Sequence, residues 1–177
     1  MTFYRTFIQQ LEYDGSEYTK GSVVDIYNEF GMGVEVFPFK EKPETKDVAV
    51  RDWPDEHGLD TYIPPSGLFL KDYDIDVEVI CYGSLSNLHT RISNFLSFIT
   101  GFNTNGKARL AVYDEHVGQG RKDVRYVSNE NTLWYNEDHD DDKIARFTVK
   151  FHVDDPKTEV TPSFNVSTGA IAALNWT

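Results

Sequence analysis

The stretch that decides the fold is Phe69-Leu-Lys-Asp-Tyr-Asp-Ile-Asp-Val-Glu-Val-Ile-Cys-Tyr82, followed at once by the segment Ser84–Thr100. In its first part, apolar and acidic residues alternate. Because successive side chains of a strand point to opposite faces, the pattern predicts a strand with one apolar and one acidic face. The apolar face carries Tyr73, Ile75, Val77, Val79 and Cys81, and the acidic face carries Asp72, Asp74, Asp76 and Glu78.

After Gly83 the apolar period changes from two to steps of three and four, which is typical of a helix. The periodic residues are Leu85, Leu88, Ile92, Phe95, Leu96 and Ile99. Gly101 can take the left-handed conformation that ends a helix. The sequence therefore predicts one main α-helix at about 84–100, which packs through Leu88, Ile92, Phe95 and Ile99 onto the sheet that contains Tyr73–Cys81.

Most of the remaining chain reads as strands. Ile144–Val153 alternates cleanly, with Phe147, Val149, Phe151 and Val153 on one face and Arg146, Thr148, Lys150 and His152 on the other. Residues 22–30 fit either a strand or a short helix, and we favour a strand. The predicted class is mainly β (α+β), an antiparallel β-sandwich or barrel-like sheet flanked by one main helix.

Length and composition bound the organisation of the chain. Its 177 residues favour a single domain, which we place at 1–156. Residues 157–177 are rich in small polar residues, and we expect a tail or arm there instead of a core element. The net charge of -12 argues against a duplex-binding surface, because phosphate contacts need lysine and arginine. No apolar run is long enough to span a bilayer, there is no leader-like N-terminus, and the lone Cys81 suits a reducing cytoplasm.

The segment Lys40–Ser66 is long, irregular and contains four prolines. A connection of this length inside a compact domain is usually functional or an arm. Its middle, Val48–Ile63, reads as two short strands around a turn at Trp53–Gly58. We predict an arm that contacts a neighbouring subunit, through Val48, Val50, Trp53 and Tyr62.

No residue pattern supports catalysis or a cofactor. The five histidines lack the spacing of a zinc site, and none is near the cysteine. The acids around His139 lack the order of a calcium-binding loop, so a solvated turn is favoured over a calcium site. Same-face acids on the strand Asp72–Glu78 lie about 7 Å apart, a spacing that glycosidases use, but any outward polar strand looks the same. We therefore expect no enzyme, no cofactor and no metal.

Two short motifs and the order of the elements suggest a family. Leu110-Ala-Val-Tyr-Asp114 follows the strand and the helix, and Phe147-Thr-Val-Lys-Phe-His-Val-Asp-Asp-Pro156 ends the last alternating strand. This progression resembles the N-terminal domain of distal tail proteins of long-tailed bacteriophages, which belong with the tail-tube proteins. The resemblance implies a β-sandwich or barrel flanked by one helix. It also implies rings, commonly hexamers, that continue the tail tube or cap its tip.

These expectations combine into a functional hypothesis. The protein would be a structural component of a phage or prophage tail, made in the bacterial cytoplasm. Its partners would be itself and other tail-tube or tail-tip proteins, without sequence-specific nucleic-acid binding and without a membrane. The acids Asp72, Asp74, Asp76 and Glu78 would line a channel for DNA, or else form an outward solvated face. If they instead met the basic face Arg146, Lys150 and His152 across a subunit boundary, they would set the register of the ring. The competing class is a β-sandwich module that binds carbohydrate or protein, with Trp53, Trp134 and Tyr135 stacking on sugar.

Overall fold

The computed structural model describes residues 4–55, 57–103, 106–136 and 142–176. Its strands are β1 (Thr6–Tyr13), β2 (Tyr18–Asp25), β3 (Met32–Val34), β4 (Val50–Arg51), β5 (Asp60–Thr61), β6 (Tyr73–Ser84), β7 (Arg109–Asp114), β8 (Gln119–Asn136), β9 (Asp142–Val153), β10 (Val160–Phe164) and β11 (Ile171–Trp176). Its helices are α1 (Ile26–Phe30) and α2 (Leu85–Thr100). Seven strands form one sheet in the order β2-β1-β7-β8-β9-β6-β3, and all its pairings are antiparallel. The prediction of a mainly β, antiparallel protein is confirmed, and the described sheet stays open instead of closing into a barrel.

The strand β6 and the helix α2 form as their two periods predict. The apolar residues of β6 are buried and share one hydrophobic cluster with Leu88, Phe95 and Ile99 of α2. Ile92 packs against the same cluster from a half-buried position. Gly101 ends the helix at φ +74°, and a Cβ there would lie 2.8 Å from the Lys107 carbonyl carbon, so that only glycine fits without a shift. The predicted docking of the helix is confirmed.

The connection between β2 and β3 joins the two edges of the sheet through α1. The Asp25 carboxylate caps this helix by accepting hydrogen bonds from the backbone N–H groups of Tyr27 and Asn28. Gly31 ends it in the left-handed conformation at φ +64°. The strand interpretation of residues 22–30 was therefore right up to Asp25 and wrong for Ile26–Phe30. Two apolar residues four positions apart, Ile26 and Phe30, are buried on one face of a single capped turn.

The C-terminal segment is more ordered than its composition suggests. β10 and β11 form an antiparallel hairpin over the face of β1 and β7 that lies opposite the main core. Val160 and Leu174 are buried there against Phe7, Leu11 and Ala111. The expectation that residues 157–177 contribute no core element was wrong, because these two single apolar residues close a second hydrophobic cluster.

Candidate assembly surfaces

A two-stranded ribbon leaves the sheet between β3 and β6, and we call residues 44–71 the arm ribbon. Near its base, the Lys46 N–H donates to the Phe69 carbonyl and the Lys71 N–H to the Glu44 carbonyl, both at 2.7 Å. Farther out, the Tyr62 N–H donates to the Ala49 carbonyl at 2.9 Å, and β4 pairs with β5. The prediction of two short strands around the Trp53–Gly58 turn is confirmed, although Glu56 lies outside the described residues.

Large hydrophobic side chains cover the arm ribbon without being buried by it. Tyr62 is 63% exposed, Leu59 61% and Ile63 59%, and neither hydrophobic cluster includes them. Further exposed side chains on the ribbon are Val50, Trp53, Leu68 and Phe69. Of the predicted contact residues, Val50, Trp53 and Tyr62 are therefore exposed and Val48 is half-buried. Exposed hydrophobic side chains that form a patch usually mark an interaction site.

A buried carboxylate holds the chain where it leaves β3. Asp114, at the end of β7, is 1% exposed. Its carboxylate oxygens accept hydrogen bonds from the Phe37 N–H at 2.7 Å and the His116 N–H at 2.9 Å. Burial raises the pKa of Asp114, while these two backbone donors act in the opposite direction. The last residue of the Leu110–Asp114 motif thus fastens the segment that leads to the arm ribbon.

A buried arginine provides a second attachment. Arg121 is 2% exposed, and its guanidinium donates to the carbonyls of Lys40 at 3.0 Å and Gly120 at 2.9 Å. The Lys40 N–H donates to the Tyr73 hydroxyl at 3.1 Å. Because Lys40 is held from both sides, the root of the arm ribbon is fixed to the sheet, and the ribbon leaves it in a set direction.

Asp74, Asp76 and Glu78 lie along one face of β6, and Asp72 directly precedes the strand, but their basic partners belong to the same chain. β6 pairs with β9, so that Asp74 faces His152 and Asp76 faces Lys150. His152 contacts the Asp74 carboxylate through Nδ1 at 2.5 Å and the Asp72 carboxylate through Nε2 at 2.9 Å. Glu78 pairs with Arg146. The hypothesis that the acidic and basic faces meet across a subunit boundary is therefore wrong, since the two strands are neighbours in one sheet.

These pairings make the face one of mixed charge. The hydrogen bond from His152 is the main cause that holds the pKa of Asp74 below its ordinary value. Asp154 adds a further carboxylate, which binds Arg125 at 3.0 Å and lies 3.4 Å from His152. The side chains of Asp72 and Asp74 remain more than half exposed. The face can present negative charge to solvent, but basic residues of β9 and β8 balance part of that charge.

Two clefts lie against the edge strand β3, and no sequence pattern predicted them directly. The first cleft, of about 430 Å³, lies between β3, α1 and the start of β1, and its walls include Ile26, Met32 and Arg5. The second cleft, of about 490 Å³, lies between β3 and β6 and includes Ile80, Tyr82 and Arg146. Both clefts share Tyr27, Gly33, Val34 and Glu35. The Gly31-Met32-Gly33 segment, with little side chain on either side of Met32, is the one signal that could have indicated open space there.

The remaining sequence candidates are scattered. Trp53 lies in the arm ribbon, whereas Trp134 and Tyr135 are exposed on β8, where the Trp134 ring contacts His89. The acidic turn around His139 lies outside the described residues. Within the described ranges, no group of three or more His, Cys, Asp or Glu side chains is arranged to hold a metal ion.

Of the helices in the described part of the chain, none has both the length and the apolar character needed to cross a membrane.

No protein-family model matches this sequence, and no curated protein matches it. The structure is similar to the crystal structure of the SPP1 Dit protein, described as a paradigm of the hub adsorption apparatus in phages that infect Gram-positive bacteria, with 15% identity and a TM-score of 0.48. The match covers 90% of this chain and 58% of that protein, so this chain spans somewhat more than half the length of the protein it resembles.

Proposed function

We propose that this protein is a structural component of a bacteriophage or prophage tail, which assembles with copies of itself into a ring. The observation that carries the proposal is the arm ribbon, with its exposed hydrophobic side chains on a root that Asp114 and Arg121 fix to the sheet. An exposed apolar arm of fixed direction is suited to bind another subunit, because its burial there removes apolar surface from water.

The sequence motifs support the fold behind this proposal. Phe147, Val149 and Phe151 fill the core from β9, and Asp114 fastens the arm root. Asp155 accepts hydrogen bonds from the N–H groups of Lys157 and Thr158, which turns the chain from β9 toward β10. These motif residues hold the fold together by packing and hydrogen bonds. The resemblance to distal tail proteins therefore supports the proposed architecture. The support for assembly comes from the arm ribbon.

The finer features of the proposal follow the family resemblance. The ring would be a hexamer in the virion tail, next to other tail-tube or tail-tip proteins, and would surround the channel for DNA. The net charge of -12 favours such a channel, because like charge keeps DNA from adhering to the wall. Within this proposal we assign Asp72, Asp74, Asp76 and Glu78 to the wall of the lumen. Basic residues of β9 balance part of their negative charge.

Light scattering on the purified protein tests the assembly. The wild type should form a closed oligomer at high concentration, and deletion of Val48–Tyr62 should leave a folded monomer. Val166→Asp is the matched control, since Val166 is fully exposed but lies in the β10–β11 turn, away from the arm ribbon. An arm deletion that assembles like the wild type would show that the arm ribbon does not hold the ring together.

A glycan-binding module is the second candidate, and one observation favours it. Leu133, Trp134 and Tyr135 are all exposed at consecutive positions of β8, and aromatic rings of this kind can stack on sugars. A protein that stays monomeric, and whose tryptophan fluorescence changes with oligosaccharides in the wild type but not in Trp134→Ala, would support this function over the ring.

A further inference from the structure

β3 is an edge strand whose outer main-chain groups border open space. Among the described strands, it pairs only with β6. The Glu35 N–H donates to the Glu78 carbonyl at 3.0 Å, so Gly33, two residues before it, directs its main-chain groups toward β6, whereas the Glu35 carbonyl contacts the His116 ring at 3.3 Å. By the same alternation, the N–H and C=O groups of Met32 and Val34 point away from β6. An edge of this kind is a template for another strand.

The two clefts flank this edge, and this arrangement suits a bound strand. A strand added to a sheet forms main-chain hydrogen bonds, while its alternate side chains enter pockets on the two faces. The first cleft has the buried Ile26 and Met32 in its walls, and the second has Ile80 and Tyr82 from the exposed face of β6, so the clefts reach different faces of the same edge. Their volumes of about 430 and 490 Å³ are large enough for side chains.

The arm ribbon contains a strand with the matching properties. β5 pairs only with β4, so its other edge is free within the described residues. In an extended segment, Leu59, Thr61 and Ile63 share one face, and Asp60 and Tyr62 share the other. Leu59 and Ile63 suit the first cleft, which has Ile26 and Met32 in its walls. Asp60 would meet Arg146 in the second cleft, where this guanidinium already pairs with Glu78.

We propose that the β5 segment Leu59–Ile63 of one copy adds as a strand to the β3 edge of the next copy, with its alternate side chains in the two clefts. This inference rests on the proposed ring and names the contact that builds it. The donor and acceptor surfaces are different parts of the chain, so the contact is head-to-tail, and such contacts form a ring when the rotation between successive copies closes. No arm-ribbon residue lines either cleft in the described structure, so both clefts remain open to a neighbour.

Point variants test the donor and the acceptor separately. Leu59→Asp with Ile63→Asp removes the donor's apolar face at exposed positions. Gly33→Trp fills the acceptor, and its backbone tolerates a side chain, since a Cβ there would meet only the Ile80 carbonyl oxygen at 3.8 Å. Each variant should weaken self-association by at least about tenfold. Gly33→Ala and Val166→Asp, the matched controls, should assemble like the wild type.

Mixing the two variants gives the sharper result. The donor variant keeps a working β3 edge and the Gly33→Trp variant keeps a working β5, so equal amounts should form a one-to-one heterodimer and nothing larger. A mixture that stays monomeric overturns the head-to-tail contact. If both point variants assemble like the wild type while the arm deletion does not, the arm ribbon docks elsewhere. The inference then fails, but the proposed ring still stands. If the wild type itself is monomeric at every concentration, both fail.

A disulfide readout avoids dependence on a bulky substitution. A chain that carries Val34→Cys and Thr61→Cys should form intermolecular disulfides under mild oxidation, visible as a ladder on a non-reducing gel, whereas either single variant should not form the ladder. Paired strands bring such residues within disulfide reach, and the native Cys81 is buried and cannot contribute. The absence of the ladder in assembled protein overturns the pairing of β5 with β3.

Discussion

Replacement of Phe95 by alanine tests the packing on which the rest of the fold depends. Phe95 is 1% exposed between α2 and the sheet, and its ring lies 5.5 Å from that of Phe30 in an edge-to-face arrangement. Truncation of a buried phenylalanine costs about 3–5 kcal/mol of unfolding free energy, from the lost transfer term and the cavity that remains. We expect the upper half of that range, because the aromatic pair with Phe30 adds about 0.5–1.5 kcal/mol.

The measurement is urea unfolding, followed by circular dichroism and tryptophan fluorescence at one fixed protein concentration, since self-association makes stability depend on concentration. Ser93→Ala on the exposed side of α2 is the control, with an expected change within about 0.5 kcal/mol. A double-mutant cycle with Phe30→Leu isolates the ring pair and should show positive coupling. A loss below about 1 kcal/mol for Phe95→Ala would refute the packing of the helix through this residue.

Further predictions concern the arm root, the charged face and the thiol. Asp114→Ala should lower the unfolding free energy by about 1–3 kcal/mol, because it leaves the buried Phe37 N–H without its acceptor. Limited proteolysis should then cut earlier at residues 35–43. An unchanged digestion pattern would contradict the role of Asp114 in holding this segment. The depressed pKa of Asp74 contributes stability that is present above its unfolded value of 3.8 and is lost as pH falls through the lower folded pKa; in urea unfolding across that range, Asp74→Asn should therefore lose less stability on acidification than the wild type. Burial of Cys81 raises the pKa of its thiol, so Ellman's reagent should modify it only on unfolding, and rapid labelling of the native protein would be the contrary result. If the acids line the lumen, Asp72, Asp74 and Asp76 changed together to asparagine should leave tail assembly intact and slow DNA ejection, whereas unchanged ejection would place them elsewhere.

The elements that sequence analysis predicted well are those with a long, uniform period. β6, β9 and α2 each present several buried residues on one face, and burial is what produces the period. α1 was missed because five residues are too few for a period to be read. Its signals were the caps: Asp25 before the helix and Gly31 after it.

What could not be predicted depends on contacts between distant parts of the chain. The alternation of Asp72–Glu78 shows an acidic face but not its partner, and only the pairing of β6 with β9 places His152 and Arg146 beside it. Val160 stands alone among polar residues, and Leu174 follows small alanines, so neither neighbourhood shows a period that indicates burial. The arm was predicted from proline content and length, while its fixed root depends on Asp114 and Arg121, which are far from it in sequence.

The C-terminal hairpin has a consequence for how the chain folds as it leaves the ribosome. β1 is made about a hundred residues before its sheet neighbour β7, and the cover over Phe7 and Leu11 comes only with Val160 and Leu174. Such non-local pairings form late, and the apolar surface that awaits them is exposed to aggregation. A nascent chain that stalls before β10 therefore carries an uncovered hydrophobic face, which makes it a substrate for chaperones until β10 and β11 have been made.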